Sequence, residues 1–269
     1  MELGLKDDVA AVVGAAGGIG MAIAEAFAAA GSHVALMDRD PKVNLLADVL
    51  EREHGVQALS VVCDVAELGA VERGAQQVLT RWQRCDHLVY AAAVGSGRYG
   101  FPFWKVHPDD WPRVLQVNLL GAVNTAHAFA QVMAEAGRGT MLFISSVAGQ
   151  IGSQTDPPYS ASKAALINFA QCAAKDLAPY GVRVNTICPG MVKSDLNRSV
   201  WEAWAAQQNE EDRIPYDEWA EAKIKRLVPL GRWQEPQDIA AMAVFLASER
   251  GQNITGQTIN VDGGFVMHW

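Results

Sequence analysis

The chain has 269 residues, 50% of them hydrophobic, enough for a substantial core in one large α/β domain or two small ones, which excludes a mainly disordered protein. A formal net charge of −8 opposes nonspecific binding to nucleic acid or to an anionic membrane. The start, Met1-Glu2-Leu3-Gly4-Leu5-Lys6-Asp7-Asp8, has no cationic stretch followed by an apolar run, and apolar segments such as 240–247 are too short to span a bilayer, so a cytoplasmic protein is expected.

Along the chain, short apolar runs rich in Val, Ile and Ala alternate with helix-length amphipathic segments, the pattern of βαβ units around a parallel sheet. The first strand is expected at 9–13. The turn Gly14-Ala15-Ala16-Gly17-Gly18-Ile19-Gly20 follows it and opens a helix over 20–30 with Ile23 and Phe27 on its apolar face. Glycines let a backbone approach a pyrophosphate, and a helix N-terminus contributes about half a positive charge. The spacing is not G-x-G-x-x-G, and the glycines alone fit a ligand-free turn equally well. A second strand over 33–38 ends in Asp38, whose carboxylate can accept hydrogen bonds from a ribose diol and would repel a 2′-phosphate. With no Arg or Lys in the turn, NAD is favoured over NADP. Arg39 leaves three readings open: over an adenine, solvated, or paired with a phosphate.

Further strands are expected at 58–63, 87–92, 140–145, 183–188 and 258–261, and further helices at 109–135, 159–178 and 236–247. No linker, charge block or repeat divides the chain, so one domain over 1–269 is expected. The segment of about 194–228 breaks the rhythm: it follows a strand end and is rich in acids and tryptophan. It is read as a substrate lid, with Val200, Trp201 and Trp204 on one helical face and Tyr216, Trp219, Ala220, Ile224 and Leu227 on another; an oligomer-contact helix pair is the alternative. Cys63, Cys85, Cys172 and Cys188 are widely spaced and are read as reduced structural thiols, with no metal site.

Tyr159-Ser160-Ala161-Ser162-Lys163 begins a helical segment, and four-residue spacing puts the phenol and the ammonium on one face. Carbonyl reduction needs an acid at the nascent alkoxide and alcohol oxidation needs a base, but a free tyrosine titrates near ~10. Bringing it to about 7 takes roughly 4 kcal/mol, the scale of one unit charge at ~4 to 5 Å with an effective dielectric of ~20. Lys163, helped by an oxidised nicotinamide, is expected to supply it. Ser146, at the end of a strand, can hydrogen-bond the substrate oxygen, while Ser145 is expected to cap the strand end. Asn118 interrupts an apolar helical pattern, either distorting the helix or holding a water beside Lys163 through its carbonyl, or both.

These parts, in this order, resemble the short-chain dehydrogenase/reductase family over about residues 6–264. The resemblance rests on the Gly14 to Gly20 turn, Asp64, Asn118, Ser146, Tyr159, Lys163, Pro189-Gly190-Met191-Val192-Lys193-Ser194 and Val261-Asp262-Gly263-Gly264. It implies a single Rossmann-like, doubly wound parallel sheet of order 3-2-1-4-5-6-7 with helices on both faces, and a homotetramer packed through the helices from Asp109 and Tyr159. It implies an NAD(H)-dependent oxidoreductase interconverting a secondary alcohol and its ketone, with Asn118, Ser146, Tyr159 and Lys163 catalytic. By the same resemblance Gly14, Gly18 and Gly20 cradle the cofactor, Asp38 and Arg39 meet the adenosine, and Asp64 and Val65 lie at the adenine edge. Ile19 packs near the ring side, Lys163 also binds the nicotinamide ribose beside Tyr159, Pro189 and Gly190 belong to the cofactor wall, and Val192 and Ser194 meet the carboxamide.

Two departures stand out. Val13 replaces the family's Thr, and Tyr90-Ala91-Ala92-Ala93 replaces its Asn-Asn-Ala-Gly, so local hydrogen bonding there must differ, although Ala92 and Ala93 leave room for adenosine. The lid is similar to those of family members acting on sugar alcohols and vicinal diols or diketones. A 3-oxoacyl thioester reductase ranks second, because its acidic carrier partner wants a basic rim and this lid is acid-rich. A non-catalytic NAD sensor would have no need of the four catalytic residues together. The apolar end Phe265-Val266-Met267-His268-Trp269 is unsuited to a free solvated tail and is read as an assembly contact.

Overall fold

The computed structural model describes residues 3–153 and 155–267. In chain order the elements are β1 (Val9–Val13), α1 (Gly18–Ala29), β2 (His33–Asp38), α2 (Val43–His54), β3 (Ala58–Val62), α3 (Leu68–Trp82), β4 (His87–Tyr90), α4 (Trp111–Leu115), α5 (Gly121–Ala136), β5 (Gly139–Ile144), α6 (Pro157–Leu177), β6 (Val182–Pro189), α7 (Asp195–Ala205), α8 (Tyr216–Leu227), α9 (Pro236–Ala247) and β7 (Thr258–Val261). The strands form one parallel sheet in the order β3-β2-β1-β4-β5-β6-β7. β1 therefore pairs with both β2 and β4, and the carboxyl ends of β1 and β4 flank the switch point where such sheets bind ligands.

All five residues of β1 are buried, because both faces of the sheet are covered. Val9, Ala11 and Val13 pack on one side with residues of α3, α5 and α6, including Val71, Phe129 and Leu166. Ala10 and Val12 face the other side, against α1, α2 and α9 through Phe27, Leu50 and Ile239.

Strand and helix ends agree with the sequence reading to within two residues, except for one helix. β4 stops at Tyr90, two residues early, because its neighbour β1 ends at Val13 and Ala91 N makes the last bond across, to Val13 O at 2.8 Å. The helix expected over 109–135 is broken: α4 passes into a π-helical segment, Gln116–Leu120, before α5 begins. The cause is Tyr90, fully buried, whose hydroxyl donates to Val117 O at 2.5 Å, while a Cβ at position 121 would collide with that hydroxyl. Glycine at 121 and one extra residue in the turn accommodate the ring.

Among the described residues no helix is long and apolar enough to cross a membrane. The four cysteines are free, three of them buried. His268 and Trp269 of the apolar carboxyl-terminal segment lie outside the described residues; Val266 N donates to Asp262 Oδ2 at 2.7 Å.

At the amino-terminal edge of the sheet, opposite the switch point, Asp86 is 4% exposed and accepts from Val9 N at 2.8 Å, Arg84 at 2.7 Å and Arg138 at 2.8 Å. Burial pushes its carboxyl up, whereas hydrogen bonds and charge from His87 and Arg84 outweigh burial at Asp8 and hold that group low. Asp86→Ala would strand the Val9 amide and uncouple β1 from β4, for an expected loss of about 2 to 4 kcal/mol in urea unfolding. A loss under about 0.5 kcal/mol would mean that water replaces the carboxylate without cost.

Candidate active site

The chain leaves β1 at Gly14, whose φ of +84° disfavours any side chain and whose Cβ would run into the Ala92 backbone. A Cβ at Gly20 would strike the Gly14 carbonyl, so glycine there lets α1 sit tightly on the turn. Gly17 and Gly18 face open space, and α1 has no acid in its first turn, leaving its positive end uncompensated. Neither departure from the family pattern leaves this turn unsupported. Gly14 N and Ala15 N donate to Met37 O at 2.8 and 3.4 Å, and Ala16 N donates to Asp38 Oδ2 at 3.0 Å. Asp38 Oδ1 accepts a further bond from Asp40 N at 3.0 Å, so two backbone amides hold this carboxylate against the swing that one reading of Arg39 required.

A cavity of about 410 Å³ lies over the turn, lined by Gly14, Asp38, Arg39, Asp64, Val65, Ala92 and Ala93 among others. Asp40, Lys42 and Asp195 also line it and were not singled out from the sequence. Lys42 was legible as a second cation in the loop after the strand ending at Asp38.

A second cavity, of about 330 Å³, shares Gly17, Ala91 and Ala93 with the first, so the two form one trough along the carboxyl edge of the sheet. It contains Ile19, Gly20, Ser146, Tyr159, Lys163, Pro189, Gly190, Val192 and Ser194. Gly18 lies outside both walls, beside the α1 start. An open glycine cradle at the middle of a continuous trough fits an elongated ligand with phosphates at its centre.

Ser146 follows β5, and its Oγ accepts from Ala148 N at 3.1 Å. Ser145 Oγ donates to Lys163 O at 2.8 Å, tying the strand end to α6, a different anchoring from the strand cap expected. Tyr159 and Lys163 lie one turn apart on α6, with the Lys163 Nζ 5.5 Å from the Tyr159 ring centroid and donating to Ile144 O at 2.7 Å. In the chain alone, burial pushes Tyr159 well above its ordinary value, against a hydrogen bond with Ser146, and burial pushes Lys163 down to about 8. Desolvation is the largest cause of both shifts, and the resting phenol is neutral.

Asn118 is fully buried and lines neither cavity. Its Oδ1 accepts from Val94 N at 2.8 Å, and its Nδ2 donates to Val94 O at 3.0 Å and Ser162 Oγ at 2.9 Å. The side-chain amide braces the loop after β4 against α6 within the π-helical segment.

The segment after β6 covers the trough. Leu196, Asn197 and Val200 of α7 and Lys223 and Leu227 of α8 line the second cavity. The two helices join through Trp201 against Tyr216 at 5.8 Å and Trp204 against Trp219 at 6.2 Å, pairing the two aromatic faces read from the sequence. Tyr99, Asp156 and Phe265 also line this cavity and were missed: each sits on a loop, where periodicity carries no signal.

Residues 14–266 match the family model described as enoyl-(acyl carrier protein) reductase. D-threitol dehydrogenase of Mycolicibacterium smegmatis is 33% identical over 98% of this chain and 94% of its own. The 3-oxoacyl-[acyl-carrier-protein] reductase of Aquifex aeolicus is 32% identical over 98% and 99%. The crystal structure of L-sorbose reductase from Gluconobacter frateurii, in complex with NADPH and L-sorbose, superposes with a TM-score of 0.91 at 27% identity and covers 100% of both chains.

Proposed function

The chain belongs to the short-chain dehydrogenase/reductase family, oxidoreductases acting on alcohol and ketone groups, and from that premise we propose that it is an NAD(H)-dependent dehydrogenase of a polyol or vicinal diol. The observation that carries the reading is the convergence of Ser146, Tyr159 and Lys163 on one cavity continuous with the glycine turn and roofed by α7 and α8. Bound in the trough, a nicotinamide cofactor supplies or accepts the hydride. Asp38 and Arg39 would hold its adenosine, the amino end of α1 its phosphates, and Lys163 its nicotinamide ribose. Ser146 Oγ holds the substrate oxygen by a hydrogen bond. Tyr159 gives that oxygen a proton during ketone reduction and takes it back during alcohol oxidation. Because burial favours the neutral phenol, the chain rests in the form suited to reduction, and oxidation requires the phenolate to be stabilised once the site is filled. Assembly as a homotetramer is part of the same proposal.

Similarity to D-threitol dehydrogenase and L-sorbose reductase supports a polyhydroxylated substrate. The similarity to a 3-oxoacyl reductase keeps that activity as the second reading, against which stands the acid-rich lid with Glu210, Glu211, Asp212, Asp217, Glu218 and Glu221.

L-sorbose reductase was crystallised with NADPH, so cofactor choice rests on Asp38 and not on likeness. With its carboxylate fixed by two amides, a 2′-phosphate would meet an immovable negative charge. The expected result is at least a tenfold higher kcat/KM with NAD than with NADP, about 1.4 kcal/mol, narrowed in Asp38→Ser. Equal efficiency of the wild type with both cofactors would sink the assignment.

A further inference from the structure

Asp156 stands at the amino end of the helix that carries Tyr159 and Lys163, and it is 5% exposed. Its Oδ1 accepts from Tyr159 N at 3.5 Å, capping α6, and its Oδ2 accepts from Ser96 N at 2.9 Å, tying the loop after β4 to the same point. Gly95 makes this possible, since a Cβ there would meet the Tyr99 hydroxyl and come within 3.0 Å of Asp156 Oδ2. The carboxylate lines the cavity that holds Ser146, Tyr159 and Lys163, and among the described residues it joins no ion pair. The Ser96 hydroxyl also bonds it, and although burial pushes this carboxyl above its ordinary value, a carboxylate met only by neutral donors keeps its field for its surroundings.

We propose that Asp156 is a positioning residue for proton transfer: it fixes the turn of α6 from which the Tyr159 hydroxyl projects and, as an uncompensated negative charge in the same cavity, sets the pH range over which alcohol oxidation rises. This rests on the reading of Tyr159 as the proton-transfer group. The other titratable groups around the phenol are Tyr99 from the loop after β4, Cys188 from β6 and Lys163 on α6 itself; Lys223 of α8 lines the cavity. The two thiol and phenol groups are neutral at rest, with burial pushing Cys188 up to about 11 and Tyr99 also upward. Lys163 is turned toward the Ile144 carbonyl. Asp156 is thus the carboxylate that opposes phenolate formation, in the same direction as burial itself.

The sign follows directly. Oxidation uses the phenolate and rises with pH, so removing the negative charge moves that rise to lower pH, while the loss of ketone reduction at high pH moves the same way. Asp156→Asn keeps a side-chain oxygen for the Tyr159 amide but removes the charge. The kcat profile for alcohol oxidation at saturating NAD is expected to shift its ascending limb down by about one pH unit, the scale of one interior unit charge. A limb unmoved within about 0.2 unit, with only rate or thermal stability lost, would overturn the proposal and leave Asp156 a helix cap. If Asp156→Asn does not fold, Asp156→Ser, which also caps without charge, is read by the same two outcomes. Tyr159→Phe run in parallel separates the two failures: an unaltered pH limb and retained turnover in that variant would overturn the Tyr159 reading as well.

Discussion

Tyr159→Phe is expected to fold, to bind NADH with nearly wild-type affinity and to lose alcohol oxidation and ketone reduction by about 10³-fold, the range of one positioned proton donor. The substitution removes one hydroxyl and leaves the buried ring in place. Ser146 loses its bond with the phenol, but its Oγ keeps the bond from Ala148 N and the residue is only partly buried, so the loss to the fold is small. Fluorescence titration with NADH and initial rates in both directions separate binding from chemistry. A variant that kept more than about a tenth of wild-type turnover would place the proton elsewhere.

Lys163→Met is expected to cost about 10² to 10³ in kcat and, unlike Tyr159→Phe, to weaken NADH binding about tenfold or more. Lys163 is 1% exposed, and among the described residues the one hydrogen bond of its ammonium runs to the Ile144 carbonyl. Burying an ammonium against a single carbonyl is unfavourable by itself, which is why the expected losses fall on cofactor binding and turnover and not on folding alone. Met keeps the apolar stem but leaves the Ile144 carbonyl without its donor, for about 1 to 3 kcal/mol of stability. Loss of stability with NADH affinity and kcat intact would reduce Lys163 to a strut between β5 and α6.

The two variants read different halves of one site, and that site was unevenly legible in the sequence. Strands buried on both faces announce themselves as apolar runs, and the glycine turn, Asp38, Ser146 and the Tyr159–Lys163 spacing are local features, so residues brought together from five elements were found one at a time. What local pattern does not carry is the result of long-range packing. The π-helical segment depends on Tyr90 reaching Val117 across 27 residues, and only its symptom, a polar Asn118 in an apolar stretch, could be read. Asp156 and Tyr99 owe their place in the cavity to the Ser96 amide and to Gly95 on a loop with no periodicity. Four-residue spacing gives the proximity of Lys163 to the phenol, whereas the cost of burying both groups depends on what covers them.

The most direct test of the account is the initial rate of NADH formation from a panel of polyols and vicinal diols at saturating NAD, measured for the wild type and Tyr159→Phe side by side. The wild type is expected to form NADH from at least one of these alcohols, and the variant to do so about 10³-fold more slowly. No NADH from any of them, in protein that demonstrably binds NADH, or equal rates in the two proteins, would contradict it.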